Sequence, residues 1–351
     1  MFIKYIESYK NGGDGCMDIL ANAVKETIII GKPHPEKKAF CIALSGTDNY
    51  IPYLGLTMMS VYQYNKQLPM AFHLFVNGLP DTDRKRLCEA AEMMGNPIYV
   101  HLMNDDAFQS LVFGEKTAVF FYRFVLANLL GAESDRVLYL DGDIMCCGSL
   151  QRLADMDLGQ AIAAVAPDRL QKKQMRQIGT TGFFNAGAML IHISEWVRQD
   201  IFHKVVDMAH DSLTKIDDKG YYEGWHGLKY NDQNILNVIL DGKVIWLPKK
   251  YNYIYKLNRS ALFRKKAENE DYHDQIILHF AGSVKPWHDW AANWPVVKEY
   301  RKIWLDSPWK DVPPSAPKSR KDCHQAAREY RVTGQYGKAL HWYLEYYKRK
   351  L

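Results

Sequence analysis

The sequence predicts an α/β protein: a mostly parallel central sheet with helices on both faces, followed by a small helical C-terminal extension. Short apolar runs bounded by turn residues alternate with helical patterns from Phe40 to Leu140, the arrangement that builds βαβ units. An apolar fraction of 47%, with 13% aromatics, gives the 351-residue chain ample material for a packed core. The run Val137–Leu140 ends in Asp141-Gly142-Asp143. That puts two carboxylates at the C-terminal end of a buried strand, where open α/β sheets place ligands.

Each element has its own signal. Residues 1–36 read as an irregular leader, with Gly12, Gly13, Gly15, Pro33 and Pro35 around one short helix near Ile19 to Ile30. Phe40–Leu44 is a buried strand that opens into the turn-rich loop Ser45-Gly-Thr-Asp-Asn-Tyr50. A helix over Tyr53–Tyr64, a strand over Ala71–Asn77, a helix with an Asp/Thr start over Asp81–Met94 and a strand over Ile98–Leu102 follow. Phe120–Leu130 is helical and feeds the strand before Asp141. Later motifs sit at strand ends or loops. Phe184-Asn185-Ala-Gly187 precedes the strand-like Ala188–Ile193, Tyr230-Asn231-Asp232-Gln233-Asn234 precedes Ile235–Leu240, and Ile277–Gly282 leads into Ser283-Val-Lys285-Pro-Trp287-His288. Pro308, Pro313, Pro314 and Pro317 mark a linker into a helical pair, Cys323–Val332 and Gln335–Lys350. The expected division is a leader (1–36), a catalytic domain (37–290) and a basic helical extension (291–351).

Composition excludes several classes. No run of about 18 uncharged apolar residues is present to span a bilayer. The N-terminus has neither the basic start nor the long apolar stretch of a signal peptide. Cys16, Cys41, Cys88, Cys146, Cys147 and Cys323 show no Cys-x-x-Cys spacing, which fits reduced thiols in a cytosolic protein. Net charge is +5, yet Lys318–Leu351 holds nine Lys/Arg against three acids, leaving residues 1–317 at −1. Nothing here points to nucleic acid. Tyr336, Leu340, Tyr343 and Tyr347 recur as one helical stripe ahead of Lys348-Arg349-Lys350, the pattern of a helix lying on an anionic membrane surface. The competing expectation is a hairpin that simply packs on the catalytic domain.

Two aspartates this close repel unless a cation sits between them or one is protonated. Hard oxygen ligands suit magnesium or manganese, ions that commonly bridge carboxylates to substrate phosphates. Gly142 would let a phosphate approach the backbone. His279, ending an apolar run, could complete the site as a neutral imidazole, and Lys285 could meet a phosphate as a point charge. Each also has a plainer role: Asn185 and Asn234 as turn or cap residues, His279 as a hydrogen-bonded core histidine, Trp287 as packing.

Five stretches taken together resemble the glycosyltransferase family 8 enzymes, and among them the bacterial lipopolysaccharide core hexosyltransferases. They are Ala43–Tyr50, Phe121-Tyr-Arg123-Phe, Leu138–Asp143, Phe184–Gly187 with Asn231-Asp232-Gln233, and His279–Trp287. Ser307–Asp311 onward resembles the C-terminal extension of that subgroup. The resemblance implies a GT-A fold and transfer of glucose or galactose from a UDP-sugar, with retention, to the lipopolysaccharide core. It implies that Asp141, Asp143 and His279 hold manganese or magnesium, and that Gly282 and Lys285 contact the diphosphate. Thr47, Asn49 and Tyr50 match the loop that cups uracil and ribose, with Ser45 at its start. Arg123 matches a basic residue near the donor, and Asp168, Asn185, Asp232 and Gln233 match positions around the transferred sugar. Thr47 stands where some relatives carry Asp, and Gly142 replaces the commoner Ala. An acceptor of this kind implies a cytoplasmic protein bound peripherally to the inner face of the bacterial inner membrane through residues 318–351.

Two other classes compete. Haloacid-dehalogenase phosphatases also carry Asp-x-Asp after an apolar strand, but Gly-Thr usually follows there, whereas Ile144-Met145 follows here. The other is a catalytically inactive nucleotide-sugar or glycan-binding module. On mechanism, the amide Gln233 is a poor nucleophile, which favours front-face attack by the acceptor; covalent catalysis by Asp232 is the alternative.

Overall fold

The computed structural model describes residues 14–33, 39–112, 117–131, 134–168, 171–212, 215, 223–225, 231–257 and 272–349. Residues 1–13 and 34–36 of the expected leader, and Tyr230, lie outside these.

The large sheet has eight strands in the order β1-β4-β3-β2-β5-β8-β7-β9. They are β1 (Val24–Ile30), β2 (Phe40–Gly46), β3 (Met70–Val76), β4 (Ile98–Met103), β5 (Arg136–Leu140), β7 (Ala163–Pro167), β8 (Phe184–His192) and β9 (Val244–Trp246). The centre, β4-β3-β2-β5, is parallel. β8 runs antiparallel between β5 and β7, and β1 is antiparallel to β4. Every residue of β3 is buried, so the parallel strands read as unbroken apolar runs rather than alternating ones. The helices α2 (Ile51–Tyr64) and α3 (Asp81–Met94) cover one face of the sheet. The other face carries α4 (Val119–Leu130), α7 (Ile193–Arg198), α8 (Ile201–Ser212) and α9 (Asp232–Ile239), and the short helices α5 (Gln151–Ala154) and α6 (Gln171–Ile178) lie between α4 and α7 in the chain.

A second sheet, β10-β11-β6, joins β10 (Tyr253–Ile254), β11 (Ile277–His279) and β6 (Ile144–Cys146). β6 begins immediately after Asp143. The Asp-Gly-Asp turn is therefore the joint between the two sheets.

Two expectations are corrected. Residues 19–30 are not one helix: α1 (Asp14–Asn22) ends there, and Val24–Ile30 becomes an edge strand of the main sheet. Its Lys25-Glu-Thr27 stretch faces solvent, which mimics an amphipathic helix in sequence and is also how edge strands avoid self-pairing. Likewise, Ile235–Leu240 is not an apolar run behind a loop motif but lies mostly within α9, which starts at Asp232 itself.

After α10 (Pro295–Leu305) the chain folds back. Trp309 fills the space above Gly55, where a Cβ would fall 2.3 Å from its ring, and its Nε1 donates to Asp83 Oδ1 at 3.1 Å. The extension ends in a hairpin of α11 (Arg320–Val332) and α12 (Tyr336–Lys348). α11 starts with a Ser319/Asp322 capping box and buries Cys323, Ala326, Ala327 and Tyr330. In α12 only Ala339 is fully buried, while Tyr336, Leu340, Leu344 and Tyr347 are more than half exposed. Tyr343, expected in the exposed stripe, instead turns to His324 of α11, and Leu344 takes its place.

Candidate active site

Strand register builds the acidic cluster. β11 pairs with β6 so that His279 lies opposite Ile144, and Phe280 N donates to Asp143 O at 2.9 Å. This brings His279 Nε2 to 3.2 Å from Asp143 Oδ1 and 3.8 Å from Asp141 Oδ2. One ligand atom from each of Asp141, Asp143 and His279 lies within 4.8 Å of the others. Two carboxylate oxygens and an imidazole nitrogen suit a hard divalent cation. Gly187 backs the cluster: its carbonyl accepts from Asp141 N–H at 2.8 Å, and a Cβ there would fall 2.2 Å from His279 Cε1 and 2.7 Å from Asp141 Oδ2.

The carboxylates do not merely repel, because the chain supplies cations. Lys285 Nζ donates to Asp143 and to Phe280 O, the latter at 3.1 Å. Arg123 Nη2 meets Asp141 Oδ1 at 3.0 Å and its Nη1 meets Asp232 Oδ2 at 2.7 Å. Burial opposes ionisation of Asp143, but His279 and Lys285 outweigh it and hold the carboxyl well below its usual range. Burial alone would neutralise His279; Asp143 and then Asp141 reverse that and raise its pKa. Burial likewise opposes the Arg123 charge, and Asp232, Tyr139 and Asp141 more than offset it.

The second group lies at the N-terminus of α9. Asn231 caps that helix by accepting from Asn234 N–H at 2.8 Å, so the cap is Asn231 and not Asn234. Asp232 and Gln233 therefore project from its first turn. Gln233 Oε1 accepts from Asn185 Nδ2 at 2.9 Å, and Gln233 Nε2 lies 3.4 Å from Asp168 Oδ2. Two buried amides absent from the sequence reading hold this group. Asn237 bonds to both polar backbone atoms of Phe184 and to Gln233 O. Asn252 bonds to Asn185 and His279. No motif surrounds either; only their burial gives them away.

On the opposite side, Thr47, Asn49 and Tyr50 form a short turn after β2, with Tyr50 half exposed and edge-on to Trp287 at 6.1 Å. Ser45 is drawn inward, its hydroxyl 3.0 Å from Tyr139 OH, which itself donates to Asp141 Oδ1 at 2.8 Å. Gly282 adopts a φ of 122°, a conformation that favours glycine, in the turn that delivers Lys285. Gly142 also lies close against a neighbouring helix. Its Cβ position lies 2.6 Å from Leu54 Cδ2 of α2, and the same helix fixes the turn through Thr57 Oγ1, which bonds to Gly142 O and Ile144 O. A methyl group here would press on the tip of Leu54.

A model of the glycosyl transferase family 8 matches residues 41–291, and that of its C-terminal region matches residues 294–350. The chain belongs to glycosyl transferase family 8. The family match displaces the phosphatase alternative. A lipopolysaccharide 1,3-galactosyltransferase of Salmonella typhimurium is 29% identical over 327 residues, covering 91% of this chain and 93% of that protein. The Escherichia coli lipopolysaccharide glucosyltransferase WaaO is 28% identical, with 90% of this chain and 93% of that one covered. Among solved structures, galactosyltransferase LgtC in complex with donor and acceptor sugar analogues superposes with a TM-score of 0.60 at 24% identity, covering 76% of this chain and 96% of LgtC. The fold of this family 8 glycosyltransferase is accordingly GT-A: a large mixed α/β sheet flanked by helices, with a helical C-terminal region. No helix among its described residues is long and apolar enough to cross a membrane.

Proposed function

We propose that this chain is a retaining, divalent-metal-dependent hexosyltransferase that moves glucose or galactose from a UDP-sugar to the core oligosaccharide of lipopolysaccharide. The observation that carries the proposal is the adjacency of two sites. The Asp141/Asp143/His279 cluster and the Asn185/Gln233/Asp168 group are joined through Asn252 by hydrogen bonds.

In this reading Asp141, Asp143 and His279 hold manganese or magnesium, which when bound supplies Lewis-acid stabilisation of the departing diphosphate. Lys285 and the Gly282 turn face the same phosphates, and the Lys285 cation opposes the charge that builds on UDP. Tyr50, Asn49 and Thr47 border the nucleoside, with Ser45 acting from beneath through Tyr139. Asn185, Asp168 and Asp232 orient the hexose. Asp232 is ion-paired to Arg123, which lowers its nucleophilicity. Gln233 is a neutral amide whose carbonyl can stabilise an oxocarbenium-like centre. Both features support front-face attack, with the leaving phosphate accepting the proton of the acceptor hydroxyl.

Residues 37–290, with β1 added, form the catalytic unit in this reading, and 291–351 the extension. The bare, basic outer side of α12 rests on the anionic inner leaflet, placing the enzyme at the cytoplasmic face of the inner membrane beside its acceptor. The test is UDP release from a panel of UDP-sugars in manganese and in EDTA, without acceptor. Metal-dependent release from UDP-glucose or UDP-galactose is expected. No release from any donor would leave only a binding module.

A further inference from the structure

Asn252 is 2% exposed and lies directly before β10, whose pairing with β11 sets Ile254 beside His279. Its Oδ1 is 3.1 Å from His279 Nδ1. A carboxamide oxygen only accepts, so this contact requires the proton on Nδ1 and leaves Nε2 facing Asp141 and Asp143. Asn252 Nδ2 donates to Asn185 Oδ1 at 2.9 Å and to Asn185 O at 3.0 Å. Asn185 Oδ1 also accepts from Gly187 N–H at 3.0 Å, so its own Nδ2 must point away, to Gln233 Oε1. Gln233 Nε2 then faces the Asp168 carboxylate.

We propose that Asn252 is a positioning residue that ties the metal-holding imidazole of His279 to the amides around the transferred sugar, through one directional hydrogen-bond chain ending at Asp168. The proposal rests on the function assigned above. A flipped amide has the same shape, but flipping any one here would set donor against donor and acceptor against acceptor. The imidazole N–H at one end and the carboxylate at the other leave one direction for the whole chain. The orientation of the Gln233 carbonyl is therefore set through Asn185, whose Oδ1 is held by Asn252 together with Gly187 N–H. Groups that orient a metal ligand from behind typically change metal affinity by about 10–100-fold when removed.

Two substitutions in the full chain separate the two ends. Asn252→Asp keeps an oxygen for the His279 N–H but removes the donor to Asn185. Asn252→Leu removes both. Manganese affinity, read by electron paramagnetic resonance of free Mn2+ in the presence of UDP, is expected to survive in Asn252→Asp and to fall about 10-fold or more in Asn252→Leu. In the hydrolysis of UDP-hexose, kcat is expected to fall at least about 10-fold in both variants, and KM in Asn252→Asp to stay within about 3-fold of wild type. Wild-type kcat in Asn252→Asp overturns the proposal, as does equal manganese affinity in wild type and Asn252→Leu. If Asn252→Leu does not fold, Asn252→Asp decides alone by its kcat. If the wild-type protein releases no UDP from any donor, the assigned function fails instead, and the manganese arm still judges the link from Asn252 to His279.

Discussion

The cleft and the C-terminal hairpin use polar and apolar groups in opposite ways. In the cleft, Asp141, Asp143 and Asp232 each meet a cation of the chain, and the amides Asn185, Gln233 and Asn252 bond to one another. In the hairpin, α11 contributes its apolar side to the core, but α12 leaves Tyr336, Leu340, Leu344 and Tyr347 in solvent. A cleft whose charges are satisfied internally is organised before any ligand arrives. An apolar face that folding does not use needs an explanation outside the fold.

The sharpest challenge to this contrast is Asp143→Asn. If the charges are mutually satisfied, removing one both disables and destabilises. Manganese-dependent donor turnover should fall by about 100-fold or more. The metal-free protein should lose on the order of 1 kcal/mol, because Lys285 and His279 lose their carboxylate partner. A higher melting temperature in EDTA would mean that repulsion between the aspartates dominates instead.

Gly187 and Gly142 should then behave differently. Gly187→Ala drives a methyl into His279 and Asp141, and is expected to remove turnover and manganese binding together, each by about 100-fold. Gly142→Ala presses only on the tip of Leu54, so roughly 1 kcal/mol of stability is at stake and metal binding should persist. Metal titrations of the two variants test the difference; equal losses would contradict it.

For the hairpin, Tyr330→Ala opens a cavity beneath α11 and should cost about 3 kcal/mol by urea melts. Replacing Tyr336, Leu340, Leu344 and Tyr347 together by Ser should shift the melt by no more than about 2 °C and leave donor hydrolysis intact, since these side chains are exposed. Binding to vesicles of anionic lipid should be lost, and wild-type binding should weaken as salt rises. A collapsed melt with unchanged lipid binding would show that α12 serves packing alone. The hairpin is too integrated for its deletion to answer this: Gln325 Nε2 of α11 donates to Ser283 Oγ, in the turn that carries Lys285, at 2.8 Å.

One further effect lies outside both regions. His73 and His101 stack within β3 and β4, their ring nitrogens 3.1 Å apart. Burial, reinforced by His101, holds His73 well below its usual pKa, and burial lowers His101 to about 4. The unfolded chain binds protons near 6.5 that the folded chain refuses. Stability should therefore be full above about pH 6.5 and decline as pH falls toward 4, by on the order of 2 kcal/mol from His101 at pH 5. Urea melts between pH 7.5 and 4.5 measure this slope, and a flat profile would contradict it.

Legibility followed the range of the interactions. From Phe40 to Leu140 the strands and helices fell close to their expected bounds, because local periodicity decides them. Val24–Ile30 did not, since its polar edge is indistinguishable from a helix face without knowledge of β4. In the cleft, Asp141, Asp143, His279 and Lys285 were visible as a pattern of residue types, and the structure gathers them. Arg123 was read as a donor contact, yet its bridge from Asp141 to Asp232 depends on a strand end and a distant helix start. Asn252 was invisible because an isolated asparagine in a loop acquires meaning only from the register of β10 on β11.

Trp309 carries a consequence for synthesis on the ribosome. Its indole bonds to Asp83, 226 positions earlier, and seals the hollow above Gly55 on the very helix that also anchors the Asp-Gly-Asp turn. A nascent chain that has delivered every active-site residue still has an open notch behind that helix until Trp309 emerges. Such late, long-range closure slows folding and leaves apolar surface uncovered in the meantime. The sheet that carries the site is finished, in time as well as in space, by a residue that follows it in the chain.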